Sequence, residues 1–248
     1  MALFSFPALD ELTEALCDKF QKYMAGLNLK KETITLAFSG GVTPAAFFDR
    51  LADFQNIPEK RTDWTNVHVF WVDERCVEPG HPESNYTMTR NHLLNALGLD
   101  KSRIHRIRGE NEPHLEAIRY ADEIKRIFNR NSGMPEFSWI FLGVGEDGHT
   151  ASIFPDRPDL LHSDSICEAT RHPVTGQFRV TLTGPVIMHA RRITFLVTGH
   201  SKSTVIRHIM TKDQEGLRYP AFYINSRANC DWYVDAEAAK QLNLQEYD

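Results

Sequence analysis

The apolar positions of the chain fall into two alternating rhythms. Short β-branched or aromatic runs at Thr33 to Phe38, Val67 to Val72, Trp139 to Leu142 and Ile193 to Thr198 suit buried strands, with a shorter one at Ile104 to Ile107. Between them, apolar residues recur three or four positions apart. Leu9, Leu12, Leu16, Phe20, Tyr23 and Leu27 predict an amphipathic helix over 8–27. The same spacing predicts helices over 45–54, 86–97 and 204–210, and one over 114–129 with Leu115, Ile118, Ala121, Ile124, Ile127 and Phe128 on its apolar side. Ser84 or Asn85 starts the second of these and Gly98 ends it. Strand and helix alternating in this way predict an α/β fold, doubly wound, with a mostly parallel sheet and helices on both faces.

Two segments depart from the alternation. Pro155 and Pro158 exclude a long regular helix over 153–165, which therefore reads as loop. Ile166 to Thr170 and Phe178 to Thr183, joined through Pro173 to Gly176, predict a small antiparallel insertion around 160–185. Further on, Phe222 to Ile224 and Trp232 to Val234 read as late strands and Ala236 to Leu242 as a closing helix. No repeat or linker divides the chain, so residues 1–248 are expected to form a single domain.

Composition narrows the partners. A 42% apolar content over 248 residues allows a large core, and the formal net charge of -5 disfavours a nucleic-acid or membrane surface. The N-terminus lacks a basic leader and no apolar run approaches a membrane span, so a cytoplasmic setting is expected. Cys17, Cys76, Cys167 and Cys230 form no close pair and read as buried free thiols. The 11 histidines show no metal-ligand spacing, so neither a metal nor a cofactor is expected.

The densest chemistry lies just after the Trp139 strand, in Leu142-Gly143-Val144-Gly145-Glu146-Asp147-Gly148-His149-Thr150-Ala151-Ser152. Its glycines match G-x-G-x-x-G, but a dinucleotide fingerprint must open a helix, and the prolines downstream forbid one. Asp147 lies two residues from His149, where a carboxylate orients an imidazole for proton transfer; an incidental surface histidine is the blander alternative. Ser39-Gly40-Gly41-Val42-Thr43-Pro44 joins a strand to a helix that Thr43 is placed to cap. Backbone N–H groups there can close on an anion, unless the segment is merely a tight turn of small residues. Asp73-Glu74-Arg75 ends another strand, and a solvated charged loop is its ordinary explanation. No G-x-S-x-G elbow occurs, which argues against a serine hydrolase.

Taken together, Ser39 to Pro44, Asp73 to Val77 with Glu83 to Tyr86, Leu142 to Pro155, and Val197-Thr198-Gly199-His200-Ser201-Lys202 resemble the 6-phosphogluconolactonase family. Tyr219-Pro220-Ala221 and Trp232 to Asp235 resemble its C-terminal pattern, with Phe222 and Tyr223 where smaller or aliphatic residues are usual. The resemblance spans most of the chain. It implies hydrolysis of 6-phospho-D-glucono-1,5-lactone without a cofactor, His149 moving the proton and Asp147 orienting it. It implies a substrate and phosphate site made of Ser39, Gly40, Gly41, Thr43, Asp73, Arg75, Asn85, Gly145 and Lys202. Arg90, Arg171 and Arg179 are weaker cation candidates. Asn85 either bonds substrate hydroxyls or caps its helix, and the oxyanion falls to glycine-loop N–H groups or to Arg75. The related hexosamine-6-phosphate deaminases carry a Glu seven residues after the motif Asp, where this chain has Phe154. Deamination and a non-catalytic sugar-phosphate sensor are the competing functions. A monomer or weak homodimer is expected.

Overall fold

The computed structural model describes residues 1–128 and 133–246. Seven strands form one parallel sheet in the order β1-β10-β9-β6-β2-β3-β5: β1 (Ala2–Phe6), β2 (Ile34–Phe38), β3 (Val67–Trp71), β5 (Ile104–His105), β6 (Trp139–Leu142), β9 (Ile193–Val197) and β10 (Cys230–Asp235). A second, three-stranded antiparallel sheet orders β4 (Asp73–Arg75), β8 (Phe178–Leu182) and β7 (Cys167–Arg171). The helices are α1 (Leu9–Leu29), α2 (Val42–Phe54), α3 (Asn85–Thr89), α4 (Asn95–Leu97), α5 (Pro113–Ile127), α6 (Gly184–Met188), α7 (Ser203–Thr211) and α8 (Pro220–Arg227). The doubly wound parallel sheet and the antiparallel insertion are both as the alternation predicted.

The strand register shows why both faces need helices. Leu36 lies beside Trp139, while Ala37 lies beside both Ile140 and Phe70, so Phe70 points away from Trp139 and Phe141. On one face Phe20 of α1 and Phe47 of α2 close on Phe141, with ring centroids 6.2 and 5.3 Å apart. On the other, Phe70 meets Tyr120 of α5 and Phe137. Central β6 is buried over its whole length, which explains its unbroken apolar run Trp-Ile-Phe-Leu.

Helix ends follow local chemistry. The Ser84 hydroxyl accepts from Thr87 N–H at 3.1 Å and starts α3; a π turn over Arg90–Leu94 links it to α4, and Gly98 ends the segment at φ 61°. Thr43 does not cap α2. Gly41, at φ 120°, holds the cap position, and the Thr43 hydroxyl bonds Thr198 Oγ1 at 2.7 Å instead.

The solvated-loop alternative for Asp73-Glu74-Arg75 gives way to a strand, paired with Thr181, Val180 and Arg179. Four other expectations are corrected. Leu115 and Ile118 are 66% and 61% exposed; α5 instead buries Glu116, Ala117, Tyr120 and Ile124, and Glu116 is held by Arg108 N–H, Asn111 and Arg119. The predicted end of that helix at Asn129 lies outside the described residues. Phe222 to Ile224 belong to α8, for which Pro220 supplies the first turn. Ala236 to Leu242 form turns and a bend in place of a helix, although the Asp235 carboxylate takes Ala238 N–H at 2.8 Å as a helix cap would. Strand β5 stops at His105, short of Ile107. The sequence pattern also passed over β1, whose pairing with β10 joins residues far apart in sequence. Cys17, Cys167 and Cys230 are buried free thiols as expected, while Cys76 is half-buried.

Candidate active site

Connections leaving β2, β3, β6 and β9 converge at the C-terminal edge of the parallel sheet around a cleft of about 590 Å³. This is where open α/β sheets bind ligands. The cleft lining brings together Ser39, Gly40, Gly41 and Thr43 from the connection after β2, Asp73, Arg75 and Asn85 from β4 and α3, Gly145 and His149 from the loop after β6, and Lys202 from the segment after β9. Asp147 is the one predicted site residue absent from the lining; it lies behind the His149 ring.

The histidine loop is folded around a carboxylate. Asp147 Oδ1 lies 2.5 Å from His149 Nδ1 and also accepts the His149 backbone N–H at 3.2 Å. Burial pushes the Asp147 carboxyl up, but the hydrogen bond and charge of the imidazole outweigh it and hold the group below the usual carboxylate range. With Nδ1 committed to Asp147, Nε2 is the nitrogen left to serve the cleft. Gly145 N–H bonds the His149 carbonyl at 2.9 Å, and a Cβ on Gly145 would overlap both side chains. Gly148, at φ 79°, lets the ring of Tyr219 pack against the loop from the start of α8. Ala151, also in the cleft wall, stands at φ 49°, a conformation costing a non-glycine residue about 1 kcal/mol or more.

Hydroxyls brace the walls. Ser39 Oγ donates to the Phe141 carbonyl at 3.0 Å, tying the connection after β2 to strand β6. The Thr43 to Thr198 bond ties the first turn of α2 to the end of β9. Of the two roles open to Asn85, the helix cap goes to its neighbour, and Asn85 itself lines the cleft. Ser84 is the cap, and Asn85 Nδ2 donates to the Asp73 carbonyl at 2.9 Å, with its amide packed so closely on Gly40 that a Cβ there would overlap it. Ser152 Oγ donates to Asp73 Oδ2 at 2.6 Å.

The cleft is cationic although the chain is acidic. Arg75 Nη1 donates to the Glu83 carbonyl at 2.8 Å and stands beside Arg179 in the β4–β8 pairing. Arg179, only 8% exposed, also lines the cleft; burial and the neighbouring Arg75 lower its pKa from the ordinary value. The Lys202 ammonium takes no hydrogen bond or ion pair among the described residues. Gly199, beside it, has its N–H held by the Asp235 carboxylate at 3.0 and 3.1 Å. Arg90 and Arg171 lie outside the cleft lining, Arg171 packing over the Phe178 ring.

Two cleft residues had no sequence signal of their own. His172, on the hairpin between β7 and β8, meets Phe154 edge-on at 5.1 Å, and Phe154 in turn lies 4.8 Å from the His149 ring. Ser152 was visible only as the end of the histidine motif. Among the described residues no group of three His, Cys, Asp or Glu is placed to hold a metal, and no helix is long and apolar enough to cross a membrane.

The same architecture recurs in known proteins. The family model described as glucosamine-6-phosphate isomerases/6-phosphogluconolactonase matches residues 7–232. A 6-phosphogluconolactonase of Haemophilus influenzae is 36% identical over 243 residues, covering 98% of this chain and all of that one. One of Homo sapiens is 36% identical over 190 residues, covering 75% of this chain and 71% of that one. Among solved structures, the devB protein superposes with a TM-score of 0.87 at 36% identity, over 97% of this chain and 99% of the other. A monomeric glucosamine-6-phosphate deaminase shares the fold at a TM-score of 0.80 and 17% identity, over 97% and 99% of the two chains. By the extent of the family match and by these full-length relatives, the chain belongs to the glucosamine-6-phosphate isomerase/6-phosphogluconolactonase family.

Proposed function

We propose that the cleft hydrolyses 6-phospho-D-glucono-1,5-lactone to 6-phospho-D-gluconate, a step of the oxidative pentose phosphate pathway. The observation that carries this reading is the His149–Asp147 pair, set in the wall of a cleft that also holds Arg75, Arg179 and Lys202. Lactone opening requires an activated water, a site for the oxyanion and a proton for the departing ring oxygen.

Nε2 of His149 takes a proton from water as its oxygen bonds C1, and the carbonyl pair moves onto oxygen. When that oxyanion collapses, the bond from C1 to the ring oxygen breaks and the imidazolium returns the proton to the ring oxygen. Asp147 holds Nδ1–H throughout and favours the imidazolium. The phosphate, carrying about two charges, is held by the cations and by the unpaired N–H groups of the first turn of α2.

Phe154 argues against amino-sugar deamination. It is 1% exposed and packs on His149, presenting an apolar face where the resemblance places a carboxylate in the deaminases. We further propose that residues 1–248 act as one catalytic unit in the cytoplasm, as a monomer or weak homodimer, without nucleic acid, metal or organic cofactor. The test is decay of freshly made 6-phosphogluconolactone with and without the protein, corrected for spontaneous hydrolysis. No acceleration, or ammonia release from glucosamine 6-phosphate instead, overturns the reading.

A further inference from the structure

We infer that Glu74 is a positioning residue for the reaction, fixing Asp73, Arg75 and Asn85 in their working places through one buried carboxylate. The inference deepens the lactonase reading and rests on it for its kinetic readout. Glu74 is 2% exposed and does not line the cleft. Its Oε1 accepts the backbone N–H groups of Arg75 at 2.8 Å and Asn85 at 2.7 Å, and its Oε2 accepts Ser84 Oγ at 3.1 Å and Tyr86 N–H at 2.8 Å. All four donors are neutral. Burial pushes this carboxyl up to about 6, and the N–H groups work against that rise. A buried charge of this kind contributes little net stability compared with a well-packed apolar side chain, so its value lies in the geometry it enforces.

That geometry closes on the cleft from three sides. Glu74 pins residues 84–86, and the carbonyl just before them, on Glu83, receives the Arg75 guanidinium at 2.8 Å. The same carboxylate fixes the Arg75 backbone, so both ends of that side chain depend on it. Asn85, fixed at its N–H, reaches back to the Asp73 carbonyl and lies against Gly40 in the glycine loop. Asp73 Oδ2 then receives Ser152 from the histidine loop at 2.6 Å. One carboxylate thereby sets the spacing between the phosphate-side cations and the loop that carries His149.

The test is a double-mutant cycle with Glu74→Gln, Arg75→Ala and the double variant. It is read both as kcat/KM for 6-phosphogluconolactone and as Kd for 6-phosphogluconate, with thermal unfolding of each protein. Whichever way the Gln amide turns, its NH2 meets at least one backbone N–H. In the wild-type background Glu74→Gln is expected to lower kcat/KM about tenfold or more, mostly through KM, and by a clearly smaller factor once Arg75 is alanine, the remainder acting through Asn85 and Asp73. A merely structural role lowers the active fraction alike in both backgrounds. Losses that multiply, or wild-type kinetics in Glu74→Gln, therefore overturn the inference. Should Glu74→Gln fail to fold, Ser84→Ala runs the same cycle, removing one donor to Glu74 together with the α3 cap, with Thr87→Ala kinetics as the control for α3 and the same failure to multiply expected. A wild-type protein that binds 6-phosphogluconate but leaves the lactone untouched sinks the lactonase reading, while the cycle on Kd still decides the role of Glu74.

Discussion

His149 Nδ1 and Asp147 Oδ1 lie 2.5 Å apart, and the same carboxylate oxygen accepts the His149 backbone N–H. The ring is thus fixed in orientation and in tautomer by a residue two positions away. Replacing His149 with Ala should lower turnover by about 10²- to 10⁴-fold, the range of general acid–base catalysis, while 6-phosphogluconate still binds. Asp147→Asn should lower kcat more than it raises KM. Steady-state kinetics beside calorimetric titration of the product separate these effects, and near-normal turnover in His149→Ala sinks the general-base role.

Gly145 gives a steric check on the same pair. A methyl group there would overlap the His149 ring and the Asp147 carboxylate, so one of them must leave its place. Gly145→Ala is expected to remove most activity yet keep a cooperative unfolding transition. Turnover within about twofold of wild type would mean the observed ring position is not the working one.

The cations should divide binding from chemistry. A charge-assisted bond contributes about 1.5–3 kcal/mol, so Lys202→Ala or Arg75→Ala should raise KM for the phosphorylated lactone roughly 10- to 100-fold. Hydrolysis of unphosphorylated gluconolactone should change little. Equal losses on both lactones would assign these groups to the oxyanion instead. Arg179→Ala is expected to follow the Arg75 pattern, because the two residues are paired across β4 and β8 and both line the cleft.

Stability should depend on pH through a pair far from the cleft. His68 Nδ1 and His105 Nε2 are 2.9 Å apart, and burial, with His105 and Arg103 nearby, lowers the His68 pKa from 6.5 to about 4. The native state favours neutral His68, so its contribution is complete above about 6.5 and is lost as pH falls toward 4. Glu123, lowered to about 2 with His105 and Arg119 overcoming its burial, loses its contribution only at still lower pH. Urea midpoints between pH 7 and 5 should fall for the wild type and fall less for His68→Gln. Parallel curves would remove His68 from the account.

The sequence disclosed what is local and hid what depends on distant partners. The apolar run of β6 and the loop after it, from Gly143 to Ser152, carry their own signal, because a buried central strand and its functional connection are contiguous. The glycines at 40 and 41 likewise announce a special backbone, Gly40 closely approached by Asn85 and Gly41 at φ 120°. Asp73-Glu74-Arg75 looked like a solvated loop, because its strand character comes from β8, a hundred residues later. Residues 222–224 have strand-like composition but continue the turn that Pro220 begins against the histidine loop. His172 and Arg179 reach the cleft only through the antiparallel hairpin, and neither stands in a motif of its own.

The pairing of β1 with β10, from Ala2 beside Asp231 to Phe6 beside Asp235, bears on how the protein is made. Residues 2–6 are made more than two hundred residues ahead of their partner and stay unpaired until residues 230–235 follow them. In the interval Ala-Leu-Phe-Ser-Phe is an unpaired, apolar strand, open to another copy of the chain. The cleft, built on strands from the interior of the sheet, takes none of its residues from β1 or β10. A fusion that detaches the first strand should therefore reveal itself as self-association during expression before it reveals itself as a loss of chemistry.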